Sequence, residues 1–267
     1  LWKDRIRKIF QMTLLEKSIV KYKSDIFGVT QVGAGTGQEV NVFTKNNIKN
    51  IYLFEPQMRP FENLKNYKDK NIHLFNYGLG NENKEVEMFT TESNTGASSS
   101  ILSPKLHSVY YPEIVFSNKV TIEIKRYASL EGINANFLVL DVQGYELEVL
   151  KGFDEKIKNY DFIYTEISRQ KLYNNGVLIV DLDLFLKKKG FIRLKTSWVS
   201  NKPTGDALYI KMKGIKKYKL FMTLIKSKFT NNFFYFGIIY FKDLQKVKYT
   251  LKQLLRNTLI VKKIFRL

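Results

Sequence analysis

The chain has 267 residues, 44% of them hydrophobic, with no cysteine, two histidines, and 44 Lys and Arg against 25 acids for a formal net charge of +19. That size suits one α/β domain with an appendage, and the composition allows a sizeable core. The lack of cysteine excludes disulfides and thiolate metal sites, two histidines exclude a histidine-rich metal site, and a reducing, cytoplasmic setting is the expectation.

Residues 1–23 read as a helix, with Ile6, Ile9, Phe10, Leu14 and Leu15 on one side and a basic, amphipathic start that lacks the apolar run and cleavage site of a leader. A first strand is expected near 26–32. It runs into the glycine turn Val32-Gly33-Ala34-Gly35-Thr36-Gly37, and a helix follows over about 37–47. Asn50 to Glu55 reads as the second strand, Pro56 and Pro60 flank a helix through Leu64 and Tyr67, and Asn71 to Phe75 is a third strand broken at Asn76-Tyr77-Gly78. Lys84 to Thr90 and Lys119 to Lys125 alternate apolar and polar residues, as half-exposed strands do. Thr91 to Asn118 between them reads as a long irregular loop, a lid or acceptor wall.

Asn136 to Leu140 is almost wholly apolar and ends at Asp141, as a strand buried on both faces would. A short helix from Tyr145 to Lys151 stops at Gly152, Asp161 to Glu166 is another strand, and Asp181 to Lys189 is a helix ended by Gly190. Phe191 to Lys195 and Ala207 to Met212 close the series as strands. Strands and helices thus alternate over residues 24–213, which predicts an α/β domain built on a mostly parallel sheet with helices on both faces. Ligands in such folds bind at the carboxyl ends of the strands, where Gln31, Glu55, Asn76, Asp141 and Glu166 would converge.

The glycine turn points to a nucleoside-containing cofactor, because glycine permits positive φ and close approach, and a helix opening there offers free N–H groups. A dinucleotide fingerprint needs a third glycine where Gln38 stands, and no Gly-Lys-Ser/Thr follows for a P-loop. Glu55, at the end of the next strand, could accept both hydroxyls of a ribose. Together these features favour S-adenosylmethionine over a dinucleotide.

Five stretches carry a more specific signal: Leu53-Phe54-Glu55-Pro56, Gly96 to Leu102, Asn136 to Phe153 with Asp141-Val142-Gln143-Gly144-Tyr145-Glu146, Tyr164-Thr165-Glu166-Ile167, and Gly205 to Ile210. In type, order and spacing this set resembles the FkbM-type methyltransferase family over about residues 25–212. The resemblance implies a class I, Rossmann-like methyltransferase sheet whose last strand is antiparallel. It also implies S-adenosylmethionine as methyl donor and O-methylation of a hydroxyl on a sugar or glycoconjugate. It places Gln31, Gly33, Ala34, Gly35, Gly37, Glu55, Asn76, Tyr77 and Asp141 around the cofactor. Two residues depart from the family pattern, which usually carries acids at Gln31 and Gln143.

Asp141 and Glu166 are the candidate catalytic residues: either carboxylate could take the acceptor's proton, or the two could hold a divalent ion, although no metal site is assigned. Ser98, Ser99 and Glu146 are candidate acceptor contacts, with Glu146 alternatively orienting its loop. His107 reads as a surface histidine or a base, and His73 as structural.

Residues 214–267 hold 13 of the basic residues and one acid, a net +12 against +7 for the rest. They read as a basic, aromatic-rich helical extension. Three readings of this tail compete, helices packed on the domain, a lipid-surface anchor and a nucleic-acid patch, and packing of some apolar residues combined with weak association with anionic lipid at the inner membrane surface is the favoured one. Two functional alternatives stay open: an RNA methyltransferase that uses the tail, and a catalytically weakened relative that only binds the cofactor.

Overall fold

The computed structural model describes residues 12–67, 69–92 and 95–212. The basic N-terminus before residue 12 and the C-terminal extension lie outside the described residues. The order of elements is α1 (Leu14–Tyr22), β1 (Val29–Val32), α2 (Val40–Lys45), β2 (Ile51–Phe54), α3 (Met58–Leu64), β3 (Ile72–Phe75), β4 (Gly78–Gly80), β5 (Lys84–Thr91), α4 (His107–Tyr110), β6 (Phe116–Arg126), β7 (Phe137–Leu140), α5 (Glu146–Gly152), β8 (Phe162–Ser168), α6 (Ile179–Lys188), β9 (Phe191–Trp198) and β10 (Thr204–Lys211).

Helix α1 does not run unbroken from residue 3. Thr13 is extended (φ −63°, ψ 168°) and caps the helix: its hydroxyl accepts from the Glu16 N–H at 3.1 Å, and its own N–H donates to the Glu16 carboxylate at 2.7 Å. This reciprocal pair satisfies donors that the first turn leaves open.

Seven strands form one sheet in the order β3-β2-β1-β7-β8-β10-β9. The first five are parallel, and β10 enters antiparallel between β8 and β9, so the antiparallel last strand expected from the resemblance is present. The four residues of each of β1, β2 and β7 are all buried, as their continuous apolar character requires. Alternate residues feed two cores. Leu15, Ile19, Val40, Phe43 and Leu64, from α1, α2 and α3, meet Val29, Leu53 and Val139 on one face. Val149, Leu150, Leu182 and Leu186, from α5 and α6, meet Val32, Phe54 and Leu140 on the other.

The chain leaves β1 towards β2 and β3 and returns on the opposite side at β7. The carboxyl ends of β1 and β7 therefore flank a topological switch point, where a crevice opens.

A second sheet, β4-β6-β5, was not foreseen as a unit. Gly78-Leu79-Gly80 reads as a strand break in the sequence, but pairs in parallel with Ile124-Lys125-Arg126. The expected irregular loop is partly structured: Ser100 exchanges backbone hydrogen bonds with Phe89, and β6 starts at Phe116. Met88, Ile122 and Ile124 are buried on the inner side of this small sheet.

Candidate functional site

The crevice at the switch point is a cleft of about 170 Å³. Its floor is the glycine turn with Glu55 and Asp141, and its far wall is Gly96, Ala97, Ser99 and Ile101 together with Met88 and Ile122 of the small sheet.

The three glycines of the turn serve different ends. Gly33 has φ +78°, and a Cβ there would stand 1.8 Å from the Asp141 carbonyl oxygen, so only glycine lets β1 and β7 run side by side to their ends. Gly35 has φ +51°, faces the cleft, and donates its N–H to Glu55 Oε2 at 2.8 Å. Gly37 is required by packing: a Cβ would meet the Tyr67 ring at 2.6 Å, and the Tyr67 hydroxyl donates to the Gly37 carbonyl at 2.9 Å.

Glu55 is buried and clamps the turn to the end of β2, since its second oxygen accepts from the Gln57 N–H at 2.9 Å. Burial pushes its pKa up to about 7, against the pull of the Gln57 and Gly35 N–H groups. The Gln57 side-chain amide makes a third, long contact with Oε1 at 3.5 Å, so of the carboxylate's about four lone-pair sites one is open, and release of that long contact would free a second for a vicinal diol.

At the end of β7, Asp141, Gln143, Glu166 and Tyr173 form one hydrogen-bonded group. Gln143 Nε2 donates to Asp141 Oδ1 at 2.7 Å and to Glu166 Oε2 at 3.1 Å, and the Tyr173 hydroxyl lies 2.8 Å from Gln143 Oε1. The Gln143 backbone is left-handed (φ +54°), which turns the amide back over the strand ends. The Asp141 side chain is open to the cleft. The protein mass around it raises its pKa to about 6, Gln143 pulls it down, and the Glu39 and Asp206 charges add to the rise. Burial first, then Asp141, Glu146 and Asp206, holds Glu166 well above the usual carboxylate range.

Glu146 lies beneath this group, 2% exposed, and accepts from the Val142 and Gly144 N–H groups at 3.2 and 3.1 Å. Burial raises its pKa to about 7, opposed by those N–H groups. Glu146 therefore shapes the loop that carries Asp141 and Gln143. Among the described residues no cluster of three His, Asp or Glu is arranged to hold a metal ion.

Residues 31–193 match the model of the methyltransferase FkbM domain, well over half of the chain. The chain belongs to the FkbM methyltransferase family. The 2-O-methyltransferase NoeI of Sinorhizobium fredii is 27% identical over 157 residues, covering 54% of this chain and 65% of NoeI, so this chain spans just under two thirds of that relative's length. Two solved structures are similar in outline. A methyltransferase FkbM from Methylobacillus flagellatus is 15% identical with TM-score 0.46, covering 70% of this chain and 44% of that one. The magnesium protoporphyrin IX methyltransferase ChlM of Synechocystis, solved with bound S-adenosylmethionine, is 11% identical with TM-score 0.41, covering 74% and 78%.

In this FkbM-family chain, Gly33, Gly35, Glu55 and Asp141 meet in the cleft as the sequence suggests. Ala34 is buried in the core behind the turn, and Gly37 faces α3. Gln31, Asn76 and Tyr77 do not line the cleft. Gln31 is buried, and its Nε2 donates to Glu39 Oε2 at 2.9 Å. Asn76 donates to the carbonyls of Glu55 and Pro56, and Tyr77 packs against Phe54 and Phe75. Gly78 and Leu79 take the wall positions expected of them. Ser99 Oγ accepts from the Thr91 N–H at 3.0 Å, and the Ser98 carbonyl accepts from Tyr173 at 2.9 Å, so both serines also brace the wall. His107 is buried among Tyr111, Phe116 and Tyr173 rather than at the surface, and burial lowers its pKa. His73 stacks on Tyr52.

Sequence reasoning missed Glu39, Tyr173 and Asp206. Asp206 was legible in principle: the antiparallel register sets it opposite Glu166, within the Gly205 to Ile210 stretch already singled out. Tyr173 carries no local signal, because it reaches the site through a loop held by the Pro104–Tyr173 bridge.

Proposed function

We propose that the chain is an S-adenosylmethionine-dependent O-methyltransferase that methylates a hydroxyl of a sugar or glycoconjugate. The observation that carries this reading is the placement of Asp141. It is an accessible carboxylate of raised basicity at the switch point, opposite the glycine turn and tied to Glu166 through Gln143. The relative named 2-O-methyltransferase supports the hydroxyl acceptor.

The residues present fit the cofactor. Glu55 has acceptor capacity for ribose hydroxyls, Gly33 and Gly35 leave the turn free of side chains, and the cleft is rimmed by acids that favour a sulfonium cation. When bound, the cofactor supplies an activated methyl group for in-line transfer to an oxygen. An alcohol must lose its proton as it attacks, and Asp141 is the base that receives it. The surrounding protein makes this carboxylate more basic than an ordinary aspartate, which suits it to receive a proton. The Gln143 amide orients this carboxylate and separates it from Glu166, which burial favours in the protonated form.

The test is incubation with methyl-labelled S-adenosylmethionine and a panel of oligosaccharides, lipid-linked glycans and RNA, read by mass spectrometry of the products. An O-methyl sugar is expected. Label on RNA alone, or cofactor binding without transfer to any acceptor, contradicts the proposal. It extends to a weak hold of the 214–267 extension on anionic lipid, motivated by its net charge of +12. Equal flotation with phosphatidylglycerol vesicles, with and without those residues, refutes that part.

A further inference from the structure

A groove of about 380 Å³, against about 170 Å³ for the cleft, lies on the other side of the loop that carries Asp141 and Gln143. It runs between the 81–83 turn that joins β4 to β5, the start of α5, and the 171–177 segment that leads into α6. Cleft and groove share a wall. Ile101 and Gln143 line the cleft, and their neighbours Leu102 and Gly144 line the groove. The Ser100 hydroxyl donates to the Gln143 carbonyl at 2.8 Å and ties the two halves of that wall together. A ligand in the groove is therefore behind the wall from the Asp141 carboxylate.

Tyr145, at the N-terminal cap of α5, borders both spaces. Its ring is packed in the core, 9% exposed, over Gly80, where an added Cβ would stand 3.4 Å from Cε1 and 3.6 Å from the hydroxyl. A tyrosine buried this far ordinarily gives its hydroxyl a partner. The Tyr145 hydroxyl has none among the described residues. The charges it feels are those of Lys84, Glu148 and Glu82, all on the groove, so the hydroxyl is turned there and away from the cleft. In the 171–177 segment, Asn174 spends its amide on Ser103 Oγ at 3.0 Å, whereas the Asn175 amide is open at the groove. Leu102, Leu147 and Val177 supply apolar surface. Charge around them is nearly balanced, with Lys84 and Lys171 against Glu82, Glu148 and Asp181, in a chain of net charge +19. Lys84 is already paired with Glu82, and Glu148 with Lys151. Such a surface holds neither a polyanion nor a polycation well. It suits a sugar ring, whose C–H faces are apolar and whose hydroxyls both donate and accept.

We infer that this groove is a saccharide site, which holds a neutral sugar unit of the acceptor remote from the hydroxyl that is methylated. The Tyr145 hydroxyl and the Asn175 amide are its hydrogen-bonding groups, and Leu102, Leu147 and Val177 are its apolar floor. The acceptor role rests on the glycan reading proposed above. It adds a source of selectivity among longer glycans, since contacts far from the reacting centre supply binding energy without touching the methyl group.

Calorimetric titration of the full chain with cellotetraose, maltotetraose and chitotetraose, with and without saturating S-adenosylhomocysteine, tests the site. At least one tetrasaccharide should bind in both conditions. Tyr145→Phe removes only the hydroxyl, and Asn175→Gly suits the left-handed backbone at that position (φ +60°). Each should weaken the saccharide about three- to tenfold, the range of one hydrogen bond. Binding of none of the three, displacement of the saccharide by S-adenosylhomocysteine or by inositol hexaphosphate, or undiminished binding in both variants overturns the site. In labelled transfer to a methylated glycan, KM should rise by the same factor in both variants, and an unchanged KM overturns the acceptor role. Absence of transfer to any glycan overturns the function proposed above instead, and saccharide binding that the two variants weaken still supports the groove.

Discussion

Replacing Gly33 by alanine should separate two costs that glycine avoids at the turn. The first is backbone strain: at φ +78° an L-residue loses about 1–2 kcal/mol relative to glycine. The second is collision, since the new Cβ would stand 1.8 Å from the Asp141 carbonyl oxygen, a backbone atom fixed in a four-residue parallel pairing of β1 with β7. Forcing one extra carbon into a packed site costs about 1–3 kcal/mol more. The sum, about 2–5 kcal/mol, corresponds to a melting-temperature loss of roughly 4–20 °C for a domain of this size. Gly132 is the internal control: its φ is +76°, and nothing lies within 4 Å of an added Cβ. Gly132→Ala should lose about 1–2 kcal/mol, the strain alone. Urea denaturation of both variants measures the difference. Equal losses in the two would refute the claim that Gly33 is needed for the approach of β1 to β7.

Other consequences follow from the same geometry. Asp141→Asn should lower the turnover number about 10²- to 10⁴-fold while S-adenosylhomocysteine affinity changes by less than about tenfold, measured by radiolabel transfer and calorimetry. Glu55 and Glu146 titrate near 7 in the fold against an ordinary 4.5, so the folded state holds their protons more tightly. Their contribution to stability is complete below 4.5 and is lost as pH rises through about 7. Glu146→Gln should therefore flatten the decline in urea stability between pH 5 and pH 8, and an unchanged slope would count against the shift. Asp183, 1% exposed, accepts from Arg193 Nε and Nη2 at 3.0 and 3.1 Å and from the Tyr209 hydroxyl at 2.8 Å. Asp183→Ala strands that guanidinium and should cost about 3–5 kcal/mol by urea denaturation.

What the sequence showed, and what it hid, divide along physical lines. The centre of the main sheet was legible because β1, β2 and β7 are buried on both faces and so are almost continuously apolar, as in Phe137 to Leu140. The strand-end acids were legible because topology alone brings Glu55 and Asp141 to one edge. The small sheet was not, because β4 is Gly-Leu-Gly, three residues that carry no strand pattern and are held by a partner 46 residues away. Asn76 and Tyr77 were misplaced because strand-end position does not fix side-chain direction. Asn76 instead ties off the Glu55–Pro56 carbonyls, and Tyr77 completes an aromatic cluster. Gln143 reads as a lost acid in the sequence, but its left-handed backbone makes it the donor that links Asp141 to Glu166. That role depends on a φ value that no residue pattern announces.

The most direct test of the central claim, that S-adenosylmethionine lies across the glycine turn with its ribose on Glu55, is calorimetric titration of the full chain and of Glu55→Gln. Glutamine keeps an acceptor for the Gly35 N–H but loses the charge that holds a diol. Binding of one cofactor per chain, weakened about tenfold or more in Glu55→Gln at pH 8, is the expected result. Absence of binding to the unaltered chain, or equal affinity in the two, would contradict the account.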